Sequence, residues 1–387
     1  MSDIIYLDNG ATSFPKPESV YDYMNSFARK YAVNPGRSGY DLCMEAGMVV
    51  EKTRKMLTAF FGGSDFNRLC FSYNSTDALN LAIFGALKAG DHAITTTLEH
   101  NSVLRPLYHL HRDNQVELEY VPFNDKGFVE PEEFLKRFKK NTRLVAVNHG
   151  SNVIGTVQPI REIGKLCRER GIIFLIDASQ TAGKIPIHLE EDYLDIIAFT
   201  GHKSLLGPMG IGGLYVREGV ELRHTRAGGT GVRSAVRSHL DEYPYRLEYG
   251  TPNTTGIAGL NAGLLWIGEQ GMDKLFEHEM ALTRKLQEGL REIDGVTLYC
   301  QEDLNGHIAV LIFNVTGFEA ADVGTMLDVD YNIACRTGLH CAPMVHEQLG
   351  TDKLHGAVRF GIGPFNTEAH IDTALEGVRQ IARSRRK

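Results

Sequence analysis

The sequence of 387 residues predicts an α/β fold. A mainly parallel seven-stranded sheet should lie between helices, with a smaller α+β domain toward the C-terminal end. Three observations carry this reading. Between residues 65 and 216, short apolar runs alternate with helix-like patterns. Most of these runs are rich in β-branched or aromatic residues and too short for helices. A long charged amphipathic stretch follows, from about residue 259 to 293, and leads into a second set of strands and helices.

Taken in order, the first strands read as residues 69–73, 93–97, 118–121, 144–148, 172–176, 196–200 and 211–216. Helical patterns at 78–87, 131–138 and 159–170 separate several of them. Such alternation predicts parallel pairing with both faces covered. Beyond the amphipathic stretch, strands are expected near 296–299, 307–313 and 357–361, and helices at 320–327 and 368–384. The first 20 or so residues hold no core of their own. The division expected is a large domain over 21–258 and a small one from 1–20 plus 259–387.

Composition excludes several classes. Hydrophobic residues make up 43% and charged residues 23%, and the net charge is −7. That balance argues against nucleic-acid binding. The basic end, RSRRK, reads as a solvated helix tail. No apolar run approaches the ~20 residues that span a bilayer, so no membrane partner is expected. The start, MSDIIYLDNG, lacks the pattern of a signal peptide, and a cytoplasmic location is the expectation. Six cysteines occur, with no Cys-x-x-Cys pair and no zinc spacing. They should be thiols, and Cys70 and Cys167 read as packing residues. The histidines of YHLHRD have no carboxylate or cysteine at ligand spacing, so no metal is expected there.

The informative residues gather at strand ends. FLID ends at Asp177. IIAFT runs into Gly201, His202 and Lys203. LVAVNHG leads to Asn152, and AITTT leads to Glu99 and His100. LCFSY leads to Asn74, Ser75 and Thr76, where a helix begins. In a parallel sheet these ends share one edge, where ligands bind. Singly, each has a plain structural explanation: a surface lysine, an aspartate in a turn, a serine capping a helix. Together they match what pyridoxal phosphate needs. A lysine forms the Schiff base, and a carboxylate keeps the pyridine nitrogen protonated. Helix amides and hydroxyls hold the phosphate, and a flat side chain covers the ring. Two other nucleotide motifs fail on spacing. GPMGIGG is not G-x-G-x-x-G and leads into a strand, and GHKS lacks the glycine-rich loop of a phosphate-binding Walker motif.

With these residues in place, the chain resembles the class-V aminotransferase group of fold-type I pyridoxal-phosphate enzymes. It is most similar to the cysteine desulfurase and selenocysteine lyase branch. The resemblance runs from YLDNGATSFPKP to the last helix. FSYNSTDALN resembles the phosphate turn, which assigns Ser75 and Thr76. Asn74, Ser75 and Asp77 depart from the Gly, Thr and Glu common there but keep small or polar character. LEHNS implies that His100 stacks on the ring, and SNVIGT that Asn152 lies near the ring hydroxyl. IDASQTAGKIP implies Asp177 at the pyridine nitrogen and Gln180 at the ring hydroxyl. AFTGHKSLLGPMGIG implies Thr200 and His202 at the phosphate and Lys203 as the covalent anchor. EYGTPNT implies that Thr251 reaches a partner subunit's phosphate, hence a homodimer with shared sites. CRTGLHCAP implies that Cys341 is the reactive cysteine, with His340 and Arg336 near it; Cys335 is structural. AVRFGIGPFNT implies that Arg359 grips the substrate carboxylate, where a planar guanidinium suits. The segment from 228 to 249 has room for the hairpin of selenocysteine-lyase-like relatives.

The expected activity is a desulfurase or lyase acting on L-cysteine or L-selenocysteine. Alanine is released, and sulfur or selenium passes through a persulfide on Cys341 to an acceptor protein. Lys203 moves the α-proton, Arg359 with Asn152 orients the carboxylate, and His100 shuttles protons. Cys341 must attack as a thiolate, and His340 or Arg336 would favour that form. The alternatives are a class-V aminotransferase or epimerase, in which Cys341 is incidental, and a catalytically silent scaffold for sulfur transfer.

Overall fold

The computed structural model describes residues 4–35, 39–300 and 302–384. A short strand, β1 (Ile5–Tyr6), precedes two helices, α1 (Glu18–Tyr31) and α2 (Asp41–Phe60). Next come β2 (Leu69–Ser72), α3 (Ser75–Ala86), β3 (Asp91–Thr96), α4 (Asn101–Arg112) and β4 (Val116–Val121). The alternation continues through α5 (Pro131–Leu135), β5 (Thr142–Asn148), α6 (Ile160–Arg168), β6 (Ile173–Asp177), β7 (Ile196–Thr200) and β8 (Gly212–Val216). The strands β2 to β8 form one seven-stranded sheet in the order β2-β8-β7-β6-β5-β3-β4. Only β8 runs against its neighbours; the other pairings are parallel. The carboxyl ends of β2, β3, β5, β6 and β7 therefore share one edge.

Every residue of β6, β7 and β8 is buried. Alternate side chains feed two cores. Phe174, Ile176, Ile197 and Phe199 join one. Ile173, Leu175, Ile196 and Ala198 join the other. This is how a sheet covered on both faces is held. The glycine-rich stretch has a packing role at this edge: a Cβ at Gly212 would lie 2.8 Å from the backbone of Asn74. That space lets β8 pass under the turn that starts α3.

The amphipathic stretch beyond residue 250 is two helices, α7 (Thr254–Gln270) and α8 (Met272–Arg291). Gly271 separates them at φ 86°, a conformation that favours glycine. Ile257, Leu260 and Leu264 of α7 pack into the core of the large sheet. Met280, Leu282, Leu286 and Leu290 of α8 pack into a separate core with Leu7, Phe313 and Phe360. The change of core thus falls at Gly271. The second core draws on β9 (Val296–Leu298), β10 (Val310–Val315), α9 (Ala320–Tyr331), β11 (Ile333–Ala334), β13 (Ala357–Gly361) and α11 (Glu368–Ser384); β12 (Arg336–Gly338) edges its sheet, and α10 (Pro343–Leu349) packs Val345 into the core of the large sheet. Its antiparallel sheet has the order β12-β13-β10-β9, and β1 pairs with β11.

The segment 228–249 contains no strand, so the hairpin for which the sequence has room is absent. Its end is held instead by Glu248, which pairs with Arg54 at 2.6 Å and accepts from Phe71 N at 2.7 Å. Of the basic tail, residues 385–387 lie outside the described residues. No described helix is long and apolar enough to cross a membrane.

Candidate active site

A cavity of about 220 Å³ opens at the shared strand edge. Ser75, Thr76, His100, Asn152, Asp177, Gln180, Thr200, His202, Lys203, Arg336 and Arg359 all contribute to its wall. These residues come from five strand ends of the large sheet and from β12 and β13. The site therefore lies where the two cores meet. Two of the residues predicted from the sequence are not in this wall. Thr251 is exposed on the loop before α7, in a different and larger cleft with Tyr73 and Arg226. Cys341 lies behind Arg336, whose Nη2 donates to its Sγ at 3.1 Å.

Asp177 ends β6, and three donors meet one of its oxygens. Ser179 N lies 3.0 Å from Oδ1, and Ser75 Oγ 3.2 Å, with Ser179 Oγ also bonded there. Oδ2 remains for a ligand. Ser75 thus spends its hydroxyl on Asp177, and its contribution to a phosphate would be its amide in the first turn of α3. Asn74 caps that helix, accepting from Asp77 N at 3.0 Å, and the free amides of a helix start attract anions. Thr200 Oγ1 and His202 Nδ1 are buried with no hydrogen-bond partner among the described residues. A buried polar atom without a partner is costly unless a ligand satisfies it. This donor set fits a phosphate, and Asp177 fits a protonated ring nitrogen.

His100 caps α4, and its Nδ1 accepts from Ser102 N at 3.1 Å. That bond fixes the proton of the neutral ring on Nε2. Burial and the cations of Lys203 and Arg336 push its pKa down to about 4. Ser102 also bridges to Thr76 Oγ1 at 2.7 Å. Gln180 donates to Gly10 O at 2.8 Å, which draws the N-terminal segment over the cavity. The backbone before Lys203 is held firmly. Thr12 Oγ1, Ser13 N and Lys16 Nζ all donate to His202 O, at 3.0, 3.1 and 2.6 Å.

Burial lowers the pKa of Lys203 from 10.5 to about 8, with the two arginines adding to the fall and Asp177 opposing it. An amine is nucleophilic only when deprotonated. The apoprotein is therefore expected to capture an aromatic aldehyde at Lys203 with a rate that rises through about pH 8. Borohydride trapping followed by peptide mass across a pH series measures it. A rate still rising steeply beyond pH 10 would contradict this amine environment.

Arg359 is fully buried, not the partner of a surface salt bridge. Its Nη2 donates to Asp8 Oδ1 at 2.6 Å and its Nη1 to Asn152 O at 2.9 Å, while Nε has no partner. Asp8 and Ser179 were not singled out from the sequence. Asp8 stands 351 positions away from Arg359, and no local pattern signals such a pair. Ser179 and Ser102 each lie two residues beyond a predicted site residue, where a short polar side chain commonly turns back on its neighbour.

The other cysteines have packing roles. Cys70 and Cys167 are fully buried in the two cores of the large sheet, and burial raises both thiols. Cys335 packs beside the second core, its thiol pushed up to about 12 by burial and by Asp8. Among the described residues no group of His, Cys, Asp and Glu is arranged to hold a metal.

Comparison with known proteins shows the family and the fold. The family model described as Aminotransferase class-V matches residues 5–374. A probable cysteine desulfurase of Pyrococcus abyssi is 34% identical over 392 residues, covering 99% of this chain and 96% of the relative. A cysteine desulfurase of Salmonella gallinarum is 32% identical, covering 98% and 94%. Among solved structures, the apo cysteine desulfurase of Thermococcus onnurineus superposes with a TM-score of 0.91 at 34% identity, covering 98% and 95%. The cysteine desulfurase CsdA of Escherichia coli, in an S-sulfonic acid form, superposes with a TM-score of 0.88 at 25% identity, covering 98% and 95%.

Proposed function

We propose, from the premise that the chain belongs to the class-V aminotransferase family and to its cysteine desulfurase branch, that it takes sulfur from L-cysteine onto Cys341 with pyridoxal phosphate as cofactor. The observation that carries this reading is the contact of Arg336 with Sγ of Cys341, made by a residue that also lines the cavity of Lys203. A guanidinium at that distance gives the sulfur a hydrogen-bond donor facing the cavity.

Bound pyridoxal phosphate would join Lys203 covalently and accept electrons from the substrate's Cα. Asp177 Oδ2 would accept from the ring nitrogen, and Gln180 and Asn152 would face the ring hydroxyl. His100 would lie over the ring, with Nε2–H available as a donor. The phosphate would meet Thr200, His202 and the first amides of α3. Once the amine of cysteine has displaced it from the cofactor, Lys203 Nζ would be free to take the proton from Cα and later return it. Sγ of Cys341 would attack the substrate sulfur, the Cβ–S electron pair would stay on carbon, and carbon would take a proton. Alanine leaves, and Cys341 keeps a persulfide for an acceptor protein. Selenocysteine meets the same residues, and its weaker bond to carbon leaves less for Cys341 to do.

Thr251 is exposed and lines a cleft separate from its own chain's cavity, which supports its reaching a second subunit's phosphate in a homodimer. Tyr73, Met44 and Met48, at 69%, 58% and 55% exposure, are among the residues that line that cleft. A patch of this kind is what an interface buries.

Arg359 would hold the substrate carboxylate with Nε, as Asp8 and Asn152 fix its other two nitrogens. Arg359→Lys keeps the charge and loses the fork. KM for cysteine is expected to rise roughly 10- to 100-fold, the equivalent of losing one charged hydrogen bond. Steady-state alanine formation measures it, and an unchanged KM would remove Arg359 from the carboxylate site.

A further inference from the structure

Cys341 lies in a tight loop between β12 and α10. The last residue of β12 and two residues of the loop have positive φ: Gly338 at φ 96°, His340 at φ 50° and Cys341 at φ 58°. Two of these are not glycine, and such residues persist only where their surroundings over-determine them. Two contacts from the large sheet hold the loop's backbone. Asn101 N donates to Cys341 O at 2.7 Å, and Asn152 Nδ2 donates to His340 O at 2.7 Å.

The third restraint comes from beneath. The His340 ring is 2% exposed and His346 is fully buried. His340 Nε2 lies 3.4 Å from Arg336 O, a group that can only accept. His340 Nδ1 lies 3.2 Å from His346 Nε2. His346 Nδ1 lies 2.8 Å from Thr351 Oγ1. Burial keeps both rings neutral, lowering His346 to about 4 and holding His340 well below its ordinary value. The carbonyl at one end then sets every proton. Thr351 donates to His346, His346 to His340, and His340 to Arg336 O. Both ring nitrogens of His340 are committed, so neither is left to act as a base on the Cys341 thiol.

We infer that His346 and Thr351 are positioning residues for Cys341, acting through His340 to hold its loop with Sγ against Arg336. The inference rests on the reading of Cys341 as the sulfur acceptor. His346 and Thr351 belong to α10 and the turn after it, and neither lines the cavity.

The test uses holoenzyme variants His346→Phe, which keeps a ring without hydrogen bonds, and His346→Gln, which keeps a donor. The first readout is the rate at which iodoacetamide alkylates Cys341 at neutral pH, followed by peptide mass. His346→Phe should slow it roughly fivefold, with His346→Gln between that and the parent. The second is kinetic: kcat for alanine formation should fall roughly tenfold with KM and cofactor absorbance unchanged. The third is a double-mutant comparison. Arg336→Met should slow alkylation in the parent and have no added effect in His346→Phe. Alkylation of folded His346→Phe at the parent rate would overturn the inference, as would independent, multiplying effects of the two substitutions. Should His346→Phe fail to fold, Thr351→Val gives the same reading with a milder loss, and an unchanged rate there also overturns it. The alkylation readout does not require Cys341 to be the sulfur acceptor. A Cys341→Ala protein with full activity would therefore defeat the functional reading alone.

Discussion

Replacing Lys203 with alanine is expected to cut alanine formation from cysteine by roughly 10⁴-fold or more, since one amine serves as covalent anchor and as the group that moves the Cα proton. Two features of the site concentrate both roles there. Burial lowers its pKa to about 8, so an appreciable fraction is neutral near pH 8. The donors of Thr12, Ser13 and Lys16 converge on the preceding carbonyl and fix the backbone from which it projects. Borohydride reduction should no longer fix pyridoxal phosphate to the Lys203→Ala chain, although the phosphate donors of Thr200, His202 and α3 remain. A reducible covalent link that persists in this variant would move the anchor elsewhere.

The second large effect is expected at Cys341. Cys341→Ala should retain the absorbance of the bound cofactor, because Cys341 does not line its cavity. Sulfide release from cysteine under reducing conditions should fall on the order of 10³-fold, the scale at which removal of a nucleophile is felt. Of the remaining five cysteines, Cys43 is fully buried in α2. Burial raises the thiols of Cys70, Cys167, Cys300 and Cys335, which suppresses the nucleophilic form. Arg336→Met should reproduce part of the loss, since it removes the one cation in contact with Sγ among the described residues. Full sulfide release by Cys341→Ala would make that cysteine a bystander and restore the transaminase alternative.

Much of the large sheet was legible because burial on both faces leaves long apolar runs with abrupt polar ends. β7 (Ile196–Thr200) and β13 (Ala357–Gly361) begin and end where the sequence places them. The strand-end motifs carried Asp177, Asn152, His100 and Lys203 to one edge for the same reason: parallel strands deliver their ends together. The parts that were not legible depend on distance or on brevity. β11 and β12 have two and three residues, too few to show a period. The helix α2 holds exposed Met44 and Met48 beside the large cleft, which blurs the contrast between faces that marks a helix. The stretch from 259 to 293 reads as one amphipathic run because a single residue, Gly271, divides it. The ion pair of Asp8 with Arg359 and the chain from Thr351 to His340 join residues whose meeting is set by tertiary packing. His340 is the instructive case. Its place beside Cys341 suggests a base, yet its two nitrogens are spent on Arg336 O and His346.

One turnover decides the central claim. Holoenzyme mixed with less than one equivalent of cysteine, then alkylated and digested, should yield alanine. It should also yield a Cys341 peptide heavier by one sulfur atom, in matching amounts. Alanine produced while that peptide keeps its original mass, or while the added sulfur appears on a different cysteine, would contradict transfer from a substrate held at Lys203 to the thiol at Cys341.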